Sequence, residues 1–243
     1  MLEDSVYVNY TNHVRKICAE KNIRGFKSHP DYTYMLEHVS PDQGRAYFDL
    51  LIQVLPIDVI RTFCEKNDSV GNPKCSLYNG LIVSPTSLRY LYHAHLILTH
   101  LKKSNTRAVV EVGGGYGGLY LAIDFLQSRY GVPIESYTII DLPDPVVLQQ
   151  YYLSSFPTTI PRRFLPASSY GSEIEESVFL VSCYCFSEIA KNHQEEYIRE
   201  LMPKVTSGFI AWNSIPVYNF GFDDMDVQDE IPNTGPMNKY VYF

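Results

Sequence analysis

The chain has 243 residues, of which 45% are hydrophobic, and its formal net charge is −7. This length and composition predict one α/β domain with an extension and a sizeable buried core. The sequence contains no run of basic residues, which argues against nucleic acid as a partner because phosphate binding needs clustered Lys and Arg.

Cysteine usage and hydropathy bear on the compartment. The five cysteines form no C-x-x-C pair, which favours reduced thiols over disulfides or a zinc site. Residues 1–4 include two acidic residues and precede no apolar segment, so we predict no signal peptide there. No apolar run approaches the ~20 residues of a membrane span. We therefore expect a cytoplasmic protein with no membrane partner.

The first part of the chain, residues 1–83, is predicted to be mostly helical, because it shows apolar residues at helical spacing and no alternating strand pattern. We expect it to form a helical cap or extension, followed by a cofactor-binding domain over residues 84–243. The pattern is equally compatible with a cap over an acceptor site and with a packing or dimerisation arm.

A helix is predicted to begin at Ser84 and Pro85, since Ser84 can cap it and Pro85 suits the first turn. Arg89 and His93 lie four residues apart on one face of this helix, which leads directly into the next strand. They are candidate substrate-binding residues; a surface arginine and a hydrogen-bonded histidine are the structural alternative. The predicted buried stripe comprises Leu88, Leu91, Ala94, Leu98 and Leu101.

The stretch 109–118 organises the rest of the domain. An apolar β-branched run ends in Glu111 and Val112, and five of the next six residues are glycine. Glycine permits a sharp turn and close approach of a ligand, and the following helix N-terminus offers unpaired N–H donors with a partial positive charge. This pattern predicts a cofactor cradle formed by Glu111, Gly113, Gly114, Gly115, Tyr116 and Gly117.

Two cofactors compete for this cradle. Gly113, Gly115 and Gly118 satisfy the G-x-G-x-x-G pattern of dinucleotide-binding folds. An acidic residue two positions before the glycine turn, as Glu111 is, is instead typical of S-adenosylmethionine (SAM) sites. We favour SAM, because a carboxylate suits its ammonium and sulfonium groups and would repel a pyrophosphate. A turn that only permits close packing is the structural alternative.

The later strands are predicted at residues 137–141, 163–165, 178–185, 208–212 and 238–243. Asp141, which ends the first of these, suits the two hydroxyls of a ribose, and Leu142 is expected to line an adenine pocket. Ligands bind beyond the carboxyl ends of parallel strands, so Ser168, Ser169 and Ser182 are further candidate cofactor-binding residues.

Alternating strands and helices predict a doubly wound, mostly parallel Rossmann-like α/β sheet. A dinucleotide fold needs about six parallel strands. Here five strands are followed by a tail with one β-segment, which is typical of a methyltransferase sheet that closes with an antiparallel strand. We also expect Asn192 and Glu195 to form a capping box at a helix start.

Three stretches, residues 84–90, 111–118 and 137–143, together resemble the sugar O-methyltransferase family of class I SAM-dependent methyltransferases. The resemblance covers about residues 70–243. The glycine motif is shared widely among methyltransferases, and the other two stretches are more particular to this family. The chain is also similar to the methyltransferase domain of multi-domain viral proteins that build and methylate rhamnose-containing glycans, which implies that it is part of a larger glycan-synthesis protein.

The resemblance implies transfer of the SAM methyl group to a hydroxyl of a sugar or glycan, with S-adenosylhomocysteine as the product. Such a hydroxyl must lose its proton, and a general base assists this. Glu188, after the 178–185 strand, and His193, in the first turn of the next helix, are the candidate bases. Their structural alternatives are a loop hydrogen-bonder and an exposed helix-start residue. Asn213 joins Arg89 and His93 as a candidate for substrate binding.

A divalent metal is the less favoured means of activating the hydroxyl. The acidic residues from Asp223 to Glu230 could supply oxygen ligands, but we interpret them as a solvated loop and expect no metal site. Two other classes of function stay open. One is an NAD(P)-dependent oxidoreductase that uses the G-x-G-x-x-G turn; the other is a non-catalytic methyltransferase-like scaffold.

Overall fold

The computed structural model describes residues 5–174 and 177–243, with side chains from residue 9 onward. The acidic start at residues 1–4, on which the signal-peptide prediction rests, lies outside the described residues. The chain divides into two compact units. The helical unit comprises Met1–His95, Gly115–Phe125 and Val147–Thr158, and the sheet unit comprises Leu96–Gly114, Leu126–Val146 and Thr159–Phe243.

The helical unit begins with four helices followed by two short strands. The start of the third helix is fixed by a capping box, in which Ser40 Oγ accepts the Gln43 N–H and the Gln43 side chain accepts the Ser40 N–H. The elements are α1 (Ser5–Glu20), α2 (Pro30–Met35), α3 (Pro41–Leu51), α4 (Ile57–Asp68), β1 (Ser76–Tyr78) and β2 (Leu81–Val83).

The two strands were not foreseen by the prediction that residues 1–83 are mostly helical. β1 and β2 pair in antiparallel fashion as a hairpin. Asn79 and Gly80 form its two-residue turn, both with positive φ, at 48° and 84°. An Asn-Gly pair is the usual sequence of such a turn, so this dipeptide could have indicated the hairpin. The strands themselves, at three residues each, are too short to show alternation.

The helix α5 (Pro85–Leu101) begins where the sequence predicts. Ser84 Oγ accepts the Thr86 N–H at 3.2 Å, and the five residues of the predicted apolar stripe are all buried. Two further helices, α6 (Gly118–Tyr130) and α7 (Pro143–Ser154), follow later in the chain. Each of these three helices contributes residues to both units.

The sheet unit is built on a seven-stranded sheet within the described residues, in the order β5-β4-β3-β6-β7-β9-β8. Neighbours from β5 to β7 are parallel, and β9 is antiparallel to both β7 and β8. The strands are β3 (Ala108–Val112), β4 (Ser136–Asp141), β5 (Arg162–Pro166), β6 (Val178–Cys183), β7 (Val205–Trp212), β8 (Asp226–Asp229) and β9 (Lys239–Tyr242).

This sheet confirms the predicted fold class, an α/β fold with a mostly parallel sheet and N-terminal helices. The strand order reverses between β3 and β6, and such a switch point is where open α/β sheets bind ligands. The strand β8 was not predicted, because all four of its residues are exposed and no apolar alternation marks it.

One predicted helix start is wrong. The helix α8 (Lys191–Glu200) begins at Lys191 with Ala190 as its N-cap, and no side chain caps it. The Ala190 carbonyl accepts the N–H groups of His193 and Gln194 at 2.8 and 3.0 Å, so the helix begins two residues earlier than an Asn192 cap requires. Among the described residues, no helix is long and apolar enough to cross a membrane.

Candidate cofactor site

The carboxyl end of β3 passes directly into the glycine turn. Gly113 has a φ of +81° and donates its N–H to the Ile140 carbonyl at 3.0 Å. A Cβ at this position would lie 2.2 Å from Cys185 Sγ, so the backbone packs directly against a side chain that follows β6. The conformation and the lack of space therefore both require glycine here.

Asp141, at the end of β4, holds this turn. Its Oδ2 accepts the Gly114 N–H at 2.9 Å, and its Oδ1 accepts the Leu142 N–H at 2.8 Å. Each carboxylate oxygen has two lone pairs, so these bonds are compatible with further donors such as the hydroxyls of a ribose. The first two parallel strands of the chain are thus connected at their carboxyl ends by a side chain.

Glu111 is a buried acid one residue before the end of β3, with 2% of its surface exposed. Burial raises its pKa to about 8; the hydrogen bond from Tyr137 opposes this shift and the charge of Asp141 adds to it. The Tyr137 hydroxyl lies 2.9 Å from Glu111 Oε2. A cation placed against the carboxyl would favour its ionised form, so binding of a cationic group here would release a proton at neutral pH.

Two of the three predicted serines, Ser182 and Ser169, have protein partners. Ser182 is fully buried; its Oγ donates to the Val112 carbonyl at 2.8 Å and accepts the Phe186 N–H at 3.0 Å. It therefore fixes the end of β6 against the end of β3. Ser168 and Ser169 lie in a 3₁₀ turn after β5, where Ser169 Oγ donates to the Pro166 carbonyl at 2.8 Å.

The structure brings Glu188 and Asn213 together. Glu188 Oε1 accepts from Asn213 Nδ2 at 2.6 Å, and Asn213 Oδ1 accepts from Ser187 Oγ at 2.6 Å. Glu188 is exposed, yet the protein around its carboxyl removes part of its water and raises its pKa. The hydrogen bond from Asn213 opposes this shift. A raised pKa suits a general base, whose proton affinity must approach the working pH.

His193 is exposed in the first turn of α8, and its Nδ1 lies 2.8 Å from the Tyr170 hydroxyl. When that hydroxyl donates to Nδ1, the neutral ring carries its proton on Nε2 and cannot accept another there. In that tautomer Glu188 is the better base of the two, because Asn213 and Ser214 donate to its Oε1 and leave Oε2 to accept the proton of a hydroxyl.

Of the predicted cofactor-binding residues, Gly115, Tyr116 and Gly117 belong to the helical unit, and the Tyr116 side chain is buried. Tyr116 is fully buried, its hydroxyl accepts from Asn67 Nδ2 at 3.1 Å, and burial raises its pKa well above the usual range. Gly115 and Gly117 have φ values of +56° and +93°. The Tyr116 side chain is therefore a packing element, and the backbone of these three residues is the part that a ligand could contact.

Arg89 and His93 also lie in the interior of the helical unit, with 5% and 1% of their surfaces exposed. Arg89 Nη2 donates to the Leu36 carbonyl at 3.0 Å. Burial, together with the charge of Arg89, lowers the pKa of His93 to about 3, so this imidazole is neutral.

The acidic residues near the C-terminus differ from the predicted solvated loop. Asp226 and Asp229 belong to β8, while Glu230 is 2% exposed and its Oε2 accepts from the Thr234 N–H at 2.6 Å and from Asn238 Nδ2 at 3.0 Å. In the described part of the chain, no three His, Cys, Asp or Glu side chains are grouped as metal ligands.

The residues of the sheet unit fit an adenosyl cofactor. The turn at Gly113 leaves no room for a Cβ, Asp141 offers carboxylate acceptors at the end of β4, and Glu111 is a buried acid that gains from a cationic neighbour. A pyrophosphate would instead add negative charge beside the Asp141 carboxylate, and this costs free energy in a desolvated site.

Sequence reasoning missed three residues of this site. Cys185 packs on Gly113, Ser187 orients Asn213, and Tyr137 hydrogen-bonds Glu111. Tyr137 pairs with Val109 in the β3–β4 register, two residues from Glu111, so an alignment of the two strands would have placed both side chains on one face. No sequence pattern indicated the other two.

Comparisons with known proteins give a coarse likeness. No protein-family model matches the chain, and no curated protein matches it. Similar solved structures include the citrinin polyketide synthase CMeT domain, at 13% identity over 66% of this chain and 53% of that chain with a TM-score of 0.48. Another is PKMT2 from Rickettsia typhi in complex with AdoHcy, at 17% identity over 52% of this chain and 26% of that chain with a TM-score of 0.39.

Human N-acetylserotonin methyltransferase in complex with SAM aligns at 12% identity over 87% of this chain and 68% of that chain, with a TM-score of 0.42. The chain spans 53% of the polyketide synthase domain and 26% of the Rickettsia protein, which is less than two thirds of either. At these TM-scores the likenesses do not by themselves assign a cofactor or an acceptor to this chain.

Proposed function

We propose that this chain transfers a methyl group from SAM to a hydroxyl of a sugar or glycan. The observation that carries the cofactor is the set of groups at the carboxyl ends of β3 and β4: the Gly113 turn, the Asp141–Gly114 hydrogen bond and the buried Glu111. The resemblance of residues 84–90 and 137–143 to sugar O-methyltransferases supports the acceptor class.

SAM, when bound, supplies an electrophilic methyl group on a sulfonium. In this proposal Glu111 and Asp141 orient the cofactor, because alignment of the reacting groups can supply much of the acceleration of a methyl transfer. Glu188 accepts the proton of the acceptor hydroxyl, and Asn213 holds its Oε1 at 2.6 Å. The raised pKa of Glu188 keeps it a stronger base than an exposed glutamate.

The test is calorimetric titration with SAM, S-adenosylhomocysteine, NAD and NADP. We expect the adenosyl pair to bind at micromolar concentrations and the dinucleotides to give no heat. Asp141→Ala should weaken binding of S-adenosylhomocysteine by about 1–3 kcal/mol, because ribose hydroxyls lose their acceptor. Asp224→Ala, which replaces an exposed aspartate of the same unit, is the matched control and should bind as the wild type does.

Other outcomes would contradict the proposal. Binding of NAD or NADP would make the chain an oxidoreductase candidate. If all four compounds fail to bind in the presence and absence of candidate acceptor sugars, a non-catalytic scaffold becomes the favoured function. Equal affinities of the Asp141 and Asp224 variants would remove Asp141 from the site.

A further inference from the structure

A cavity of about 230 Å³ lies in the helical unit, around the residues that follow α2 and precede α5. We call it the Glu37 cavity. Val39, Pro41 and Pro85 give it apolar patches. The rest of its lining carries hydrogen-bonding groups, from Thr33, Glu37, His38, Lys74, Ser76, Ser84 and Thr86.

Glu37 has one carboxylate oxygen without a protein partner. Its Oε2 accepts from Ser84 Oγ at 3.4 Å. Its Oε1 is buried and has no hydrogen-bond partner among the described residues. A buried polar atom left unpaired is costly and uncommon, so this oxygen would be stabilised by a donor that a ligand supplies.

The charges around Glu37 limit what that ligand can be. Burial raises the pKa of Glu37, while the positive charges of Lys27 and Arg89 and hydrogen bonds from the Thr86 and Tyr116 side chains oppose the shift. Lys27 is fully buried, and its Nζ donates to the Asn67 carbonyl at 2.6 Å. A cationic ligand would meet these two buried cations and the Lys74 ammonium of the lining, and an anionic ligand would meet the buried carboxyl of Glu37. The cavity therefore suits a neutral hydrogen-bond donor.

Among the remaining walls, Lys74 is a cation, but the residue is exposed and water screens its charge. The other walls are neutral. Burial, together with the charge of Arg89, lowers the pKa of His38 to about 4, so its imidazole is uncharged and offers one donor and one acceptor. Thr33 Oγ1 donates to the Lys27 carbonyl at 3.2 Å, and its lone pairs can accept from a ligand. Several neutral donors and acceptors beside small apolar patches match a molecule with hydroxyls on its edges and C–H groups on its faces.

We propose that the Glu37 cavity binds one neutral sugar ring, with Glu37 Oε1 accepting a hydrogen bond from a ring hydroxyl. The volume limits the ligand to a single ring, since pockets for larger ligands run from about 300 to 1,000 Å³. That the bound sugar is the methyl acceptor rests on the proposed function. The binding of a sugar in this cavity does not depend on it.

The test uses NMR spectroscopy of the full chain with labelled methyl groups. The probes are the methyl glycosides of a hexose and a 6-deoxyhexose, with the matching amino sugar as a cation and the uronate as an anion. We expect the neutral glycosides to bind best and to show intermolecular NOEs to the methyl groups of Val39 and Thr33. Glu37→Gln should weaken binding about tenfold, and Glu65→Gln, which replaces an exposed residue of α4, should leave it unchanged.

The NOEs keep the test independent of how the variants fold. Absence of contacts to Val39 and Thr33 in the wild type, tighter binding of a charged sugar, or equal affinities of the two glutamine variants would each overturn the cavity proposal. Sugar methylation with a KM unaffected by Glu37→Gln would overturn it while the proposed function stands. Sugar bound in the cavity of a chain that does not bind S-adenosylhomocysteine would leave the cavity proposal intact and refute the proposed function.

Discussion

The free energy of unfolding of a Glu111→Gln variant should rise with pH relative to that of the wild type. The pKa of Glu111 is raised from 4.5 to about 8 by burial. Between these values the folded chain holds a proton that the unfolded chain has lost, so the wild type loses stability as the pH rises. The glutamine side chain in the variant would not titrate, and its amide oxygen can still accept the hydrogen bond from Tyr137.

The magnitude follows from that shift. Each pH unit between the two pKa values changes the free energy of unfolding by at most about 1.4 kcal/mol. From about pH 5.5 to about pH 7.5, the difference between variant and wild type should therefore grow by at most about 2.5 kcal/mol. Other carboxyls with raised pKa values, such as Glu188, titrate in both proteins and cancel in the comparison.

Urea unfolding can be followed by the fluorescence of Trp212, which is the single tryptophan and is fully buried. Titrations at several pH values give the free energy of unfolding of each protein, and their difference is plotted against pH. A difference that stays constant over this range would refute the buried, protonated state of Glu111. The same variant should also bind SAM with an affinity that no longer rises with pH.

Three further predictions concern other positions. Gly131 has a φ of +63° and no atom within 4 Å of an added Cβ, so Gly131→Ala should lower the free energy of unfolding by about 1 kcal/mol through backbone strain alone. Gly113→Ala adds a steric clash and should lower it by about 2–4 kcal/mol, and thermal unfolding of the two variants tests this difference. Burial lowers the pKa of Lys27 from 10.5 to about 8. Between these values the unfolded chain holds a proton that the folded chain has lost, so the wild type should gain stability with rising pH relative to a Lys27→Met variant. Denaturant titrations that give the same dependence of unfolding free energy on alkaline pH for both proteins would contradict this. Glu188→Gln should lower the kcat of methyl transfer about 10²–10⁴-fold with unchanged affinity for S-adenosylhomocysteine, while His193→Gln should change kcat only slightly; the reverse order would make His193 the base.

The sequence was most informative where a pattern is local or repeats. The β-branched run before Gly113 and the run at residues 137–141 predicted β3 and β4, because strands buried on both faces are apolar throughout. Ser84 and Pro85 predicted the start of α5 through cap chemistry. The hairpin at Asn79 and Gly80 was missed, since the short strands outside that turn show no periodicity.

The parts that were not predictable depend on contacts between residues distant in sequence. The raised pKa of Glu111 arises from its burial in the sheet unit, and the restriction at Gly113 arises from Cys185, 72 positions later in the chain. Neither follows from local composition. Tyr116 shows the converse: its place in the glycine motif suggested a ligand contact, but tertiary packing buries its side chain completely.

The two outer strands of the sheet differ in charge. β8 carries Asp226 and Asp229 at its ends, whereas β5 begins with Arg162 and Arg163 and ends in Pro166. A second copy of the chain that offered the same edge would bring like charges face to face, and proline cannot donate to a strand ladder. Each edge therefore resists pairing with the same edge of a second copy.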